Sequence, residues 1–161
     1  MIQVKEKSLI GFVALDAALV AMACLVPAAS HLFAVPLFKF NPMLAVLLAG
    51  MLIGRDWRNS MVLAVLLPLV SSLLTGMPVA PKMVCMMAEM ATVVGVFAMV
   101  SRRWKALPAI LTAIMAGKAV YYGMKAIVVA PAVLVGTDWE LQLLAVLLWG
   151  GLFALLHKRV K

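Results

Sequence analysis

Six apolar runs, separated by short segments rich in charged residues, prolines and glycines, leave this chain few ways to fold. A membrane-crossing helix needs about 20 predominantly apolar residues, within a range of roughly 17–25. The runs predict helices over residues 8–30, 42–54, 59–75, 80–100, 107–135 and 139–157. The second is too short for a full crossing. Either the apolar stretch before it extends it, or that stretch dips back into the protein, since irregular backbone at membrane depth is tolerated where protein or a cavity covers it. The fifth is long, and Pro131 should kink or end it, because proline lacks the amide donor and clashes with the preceding turn. With 66% hydrophobic and 12% charged residues and a mean hydropathy of +1.14, the chain is far more apolar than the 45–50% usual in soluble domains. It reads as an all-α integral membrane bundle of six transmembrane helices, one domain over residues 1–161.

The basic residues set the expected orientation. Lys5, Lys7, Arg55, Arg58, Arg102, Arg103, Lys105, Lys158, Arg159 and Lys161 flank one set of helix ends, against Lys39 and Lys82 at the other. The positive-inside rule then puts both termini in the cytoplasm and the segments 31–41, 76–81 and 136–138 outside. The net charge of +8 therefore reads as a topology signal facing the lipid bilayer, not as a nucleic-acid surface. Lys5 and Lys7 before an apolar run ending at Ser30 resemble a signal peptide superficially, but that run exceeds the 7–15 residues of such signals and reads as a retained helix.

Several chemistries lack their parts. Cys24 and Cys85 form no Cys-x-x-Cys or Cys/His cluster, so they read as packing residues, with no metal or cofactor implied. Gly117-Lys118 is followed by Ala119 and preceded at the required spacing by Thr112, so no phosphate loop exists and the chain is not itself an ATPase. His31 and His157 fall at opposite faces, without the metalloprotease or serine-hydrolase signatures, and an enzyme is the least favoured class.

Charges inside the apolar runs carry the functional signal. A charge at bilayer depth costs roughly 2.5–3.5 kcal/mol on insertion scales, so such groups are held against a partner or a water-filled cavity. Glu89 lies in the fourth helix and Lys118 and Lys125 in the fifth. The two lysines fall nearly in line, about 10 Å apart, with Tyr121 and Tyr122 flanking them. Counted inward from Lys82 and Pro131, Glu89 and Lys125 share a depth of about 10 Å, which suits a Glu89–Lys125 pair. Two readings follow. The pair merely neutralises two buried charges, or Glu89, Lys118 and the tyrosines orient a small polar ligand in an outward-opening pocket. Lys125 can snorkel outward; Lys118, deeper, cannot easily do so.

Asn41, Ser71, Ser72 and Thr75 stand at outer helix ends, as pocket groups or as capping and interhelical hydrogen bonds. Phe33, Phe38, Phe40 and Trp139 would cap an aromatic ligand or form the interfacial belt. Gly50 and Gly54 have the spacing for close helix packing, and the small residues Ala14, Ala17, Ala18 and Ala21 beside Asp16 suit either docking of another membrane helix or internal packing.

The runs NPMLAVLLAG (41–50), PLVSSLLTGMP (68–78), MMAEMA (86–91) and MAGKAVYYG (115–123) resemble, in order and spacing, the substrate-binding (S) components of energy-coupling factor (ECF) transporters. The resemblance covers roughly residues 8–130. It implies a multi-pass subunit of the bacterial cytoplasmic (inner) membrane, part of an ABC importer. Such a subunit captures a vitamin or related micronutrient from outside and delivers it with a membrane T subunit and two cytoplasmic ATPases. It carries T-subunit docking to Ala14 and Ala18, the fourth-helix acid to Glu89, and the basic-then-Tyr motif to Lys118 and Tyr121. The expected ligand-binding set is thus Asn41, Ser72, Glu89, Lys118, Tyr121, Tyr122 and Lys125. Relatives often carry His at the position of Leu44 and Arg at that of Lys118, and the different donor geometry of Arg and Lys prevents transfer of a ligand identity. A stand-alone carrier using Glu89, or a structural subunit of another membrane complex, are the competing readings.

Overall fold

The computed structural model describes residues 9–32, 41–54, 56–76, 78–128 and 139–160. Its elements are six helices: α1 (Leu9–Leu32), α2 (Pro42–Gly54), α3 (Trp57–Thr75), α4 (Ala80–Val100), α5 (Ala106–Val128) and α6 (Trp139–Val160). Pro131 and the rest of 129–138, the aromatic residues Phe33, Phe38 and Phe40, and the basic residues Lys5, Lys7, Lys39, Arg55 and Lys161 lie outside the described residues, as do the side chains of Trp139 and Arg159.

Local chemistry sets the helix ends. α3 begins two residues before the expected start because Asp56, in an extended conformation, accepts a 3.0 Å hydrogen bond from the Arg58 amide, the usual role of an aspartate N-cap. It ends where Gly76 adopts φ +70° and donates its amide to the Ser72 carbonyl, a conformation that costs glycine little. Pro68, buried within α3, cannot donate to the carbonyl of Ala64, four residues earlier. α2 and α4 match the expected bounds, and α6 runs three residues past the expected end at His157.

α3 and α4 must run antiparallel. The link from Thr75 to Ala80 spans at most about 18 Å fully extended, whereas α3 is about 28 Å long from its 19 residues. The helices α2, α3, α4, α5 and α6 close a ring, each touching its two neighbours, while α1 packs on α2 and α3. Gly50 permits that junction: a Cβ there would lie 2.5 Å from Leu63 Cδ2 and 3.1 Å from Leu19 Cδ1. Leu47, Leu63, Leu67, Met90, Ile110 and Ile114 fill the core and are fully buried.

Outward faces carry Leu73, Ile127 and Leu155, at 77%, 86% and 68% exposure, which suits hydrocarbon and not water. α3, α4, α5 and α6 are each long and apolar enough to cross a membrane, so the chain is all-α with four helices of spanning length. Arg58, Arg102, Arg103, Lys105 and Lys158 are exposed at one end of the ring, and Lys82 at the other.

Candidate functional site

Glu89 is the most deeply buried charge among the described residues, 1% exposed on α4. Its Oε1 receives two donors: Lys118 Nζ at 2.9 Å and Asn41 Nδ2 at 3.1 Å. These come from α5 and from the start of α2, so one carboxylate ties three helices together. Asn41 occupies the N-terminal cap of α2, at φ +51°, a left-handed conformation that asparagine tolerates better than most residues. Its side-chain oxygen accepts from the Leu44 amide at 3.4 Å, and Pro42, which has no amide hydrogen to leave unpaired, opens the helix. The carboxylate therefore also lies beside a helix N-terminus, whose partial positive charge favours an anion.

This contact settles how α2 is accommodated. Glu89 is nine residues into α4, about 14 Å from its N-terminal start. Asn41 meets it there, so α2 starts level with the middle of α4 and not with its first residue. Of the two accommodations open to the short second run, the structure has the helix stop short.

Lys118, and not Lys125, pairs with Glu89. The physical cause is Gly117, whose missing side chain lets α5 press against α4 at this level: a Cβ there would lie 2.9 Å from the Glu89 carbonyl oxygen and 2.6 Å from Val93 Cγ2. Counting from Pro131 placed Lys125 abreast of Glu89; the close approach of backbones puts the residue after Gly117 there instead. Lys125 serves the aromatic pair, its Nζ lying 5.9 Å from the ring centroids of both Tyr121 and Tyr122. Lys118 Nζ also sits 5.6 Å from the Tyr121 ring, within cation–π range. The two tyrosines meet edge to face at 5.1 Å. A continuous polar line therefore runs along α5 from the buried ion pair towards its C-terminal end.

Ser72 stands apart from that line. Its hydroxyl donates to the Pro78 carbonyl at 2.7 Å, closing the turn between α3 and α4, and Thr75 similarly donates to the Ser71 carbonyl at 2.7 Å. Ala14, Ala17, Ala18 and Ala21 are exposed on α1. Their small-residue face points away from the ring, so internal packing does not use it. Asp16 accepts from Asn59 Nδ2 at 3.0 Å and fixes α1 to α3.

Sequence reasoning missed three features. Gly117 as the origin of the pairing was signalled only by a glycine directly before a buried lysine. Asn59 as the partner of Asp16 carried no local signal. The third is a ring cluster at the basic end, where His157 stacks on Phe153 at 5.6 Å and meets Phe97 edge-on at 6.1 Å. No protein-family model, curated protein or solved structure matches the chain.

Proposed function

We propose that the chain is the substrate-binding component of an ECF-type importer in the bacterial cytoplasmic membrane, with both termini inside. It captures a vitamin-like micronutrient from outside and passes it on with a T subunit and two ATPases. One observation carries this reading: three of the four runs behind the resemblance, far apart in sequence, meet on one carboxylate through Asn41, Glu89 and Lys118. A helix that begins at membrane depth supports it, since interrupted helices place polar groups and helix ends where membrane transporters bind substrates. The exposed alanines of α1 offer the T subunit a close-packing face.

Mass spectrometry of small molecules released from the natively purified protein tests the reading directly. A micronutrient should be recovered from wild type and lost from the Glu89→Gln/Lys118→Met double variant, which removes both charges together. Equal recovery from both would remove this site. Ala14→Trp should retain the ligand while losing co-purification with the T subunit.

A structural role is the reading that the engagement of Glu89 Oε1 by two donors from within the protein favours. It predicts no bound small molecule and one stably retained protein partner.

A further inference from the structure

At the basic end of the ring, α2, α3, α4 and α6 leave a half-open crevice of about 690 Å³. Its apolar lining includes Leu52, Val94, Phe97, Ala98 and Met99. Met99 is 73% exposed, so the crevice opens sideways onto the outward apolar face as well as towards the helix ends. Gly95 adds no side chain to it, and a Cβ there would meet nothing nearer than Met61 Cε at 4.0 Å. The space is therefore not held open by a steric conflict.

The mouth is different chemistry. Trp57, Ser101 and Arg102 lie there, and Arg102 is exposed with no carboxylate within ion-pairing distance among the described residues. Asp56 also lines the crevice, but its carboxylate is engaged as the cap of α3. Arg58, Arg103, Lys105 and Lys158 surround the same end and are exposed. Trp57 and Trp104, each 54% exposed, mark the level at which amphipathic rings sit among lipid headgroups. An apolar slot open to the membrane face, with an unpaired guanidinium at headgroup level inside a basic surround, has the polarity of an anionic amphiphile.

We propose that this crevice binds one anionic phospholipid of the adjoining leaflet, its headgroup phosphate at Arg102 and an acyl chain along Val94, Phe97 and Met99. Basic pockets between membrane helices select such lipids by charge. A zwitterionic lipid offers the same chain and phosphate but no net charge, so the basic surround discriminates against it. The crevice takes its α4 lining from Val94 to Arg102, beyond Glu89, which stands near the middle of that helix.

Native mass spectrometry in neutral detergent, titrating dioleoyl phosphatidylglycerol or dioleoyl phosphatidylcholine, tests it. The first adduct should form more tightly with phosphatidylglycerol. Arg102→Gln should weaken that adduct about fivefold, the worth of one basic residue at an anionic surface, and weaken phosphatidylcholine, whose choline offsets the charge of the same phosphate, by less. Gly95→Leu, which fills the slot, should abolish the preference in protein that circular dichroism shows to be helical. Arg102 is exposed, so its variant reports on the headgroup contact even where Gly95→Leu fails to fold. Equal binding of the two lipids, an equal loss of both in Arg102→Gln, or an unchanged preference in folded Gly95→Leu would each overturn the proposal. So would the absence of any saturable adduct, the outcome for a crevice that seats a protein segment.

Discussion

Gly117→Ala should part the two helices that form the buried ion pair. The added methyl would lie 2.6 Å from Val93 Cγ2 and 2.9 Å from the Glu89 carbonyl oxygen, whereas ordinary contact begins at 3.4 Å. Val93 must therefore yield by about 0.8 Å and the α4 backbone by about 0.5 Å. Valine in a helix is nearly locked at χ1, and a backbone carbonyl cannot rotate aside. α5 must move, and the Lys118–Glu89 contact of 2.9 Å stretches by a similar amount, past the 2.7–3.2 Å of a good N–H···O bond. Overpacking of this kind costs about 1–3 kcal/mol. Alanine gains about 1 kcal/mol over glycine in a helix interior, which would mask part of the loss. Gly123→Ala supplies the correction: it lies on the same helix, and nothing stands within 4 Å of its Cβ position. Denaturant unfolding of both variants in micelles should show Gly117→Ala less stable than Gly123→Ala by about 1–3 kcal/mol. Val93→Ala should recover only part of that difference, because the carbonyl oxygen stays in place. Equal stability of the two glycine variants would refute the packing argument, and full recovery by Val93→Ala would refute the backbone part of it.

Two further outcomes follow from the same coordinates. Lys118→Met leaves Glu89 buried without its counter-charge and should cost about 3–5 kcal/mol, most of it recovered by adding Glu89→Gln; a double variant no more stable than Lys118→Met in the same unfolding assay would contradict this. Gly76→Ala forces a side chain into φ +70° where no neighbour lies within 4 Å, so its loss of about 1 kcal/mol should come from backbone strain alone, and an unchanged unfolding midpoint would argue against it.

The helices were legible because each run is apolar over most of its length and bounded by residues that end helices. α2 and α4 follow the expected limits residue for residue. α3 starts two residues before the expected Asn59, because the cap at Asp56 carries no apolar signal. The polar site was legible in kind, because buried charges need partners, and Asn41, Glu89, Lys118 and Tyr121 do gather. Its pairing was not legible. Depth counted along a single helix assumes that both helices enter the membrane at levels known in advance, and the offset between α4 and α5 is fixed by the contact at Gly117. The crevice at the basic end was still less accessible, since its lining comes from α2, α3, α4 and α6. No window of sequence contains it.

The contacts of Lys118 and Asn41 on Glu89 Oε1 constrain any ligand that the proposed function requires. A ligand acid that took Lys118 would strand Glu89, and a ligand cation that displaced Lys118 from Glu89 would strand Lys118. Either stranded charge, at 2% or 12% side-chain exposure, carries the few-kcal/mol penalty of an unpaired buried ion. A molecule carrying both an acceptor and a donor can exchange partners with the pair, replacing each contact as it breaks. Tyr121 and Tyr122 present their rings within 6 Å of the lysine ammonium groups, which suits a planar body beside those polar ends. Under the proposed function, a small compound carrying both a donor and an acceptor beside a planar body keeps both buried charges partnered.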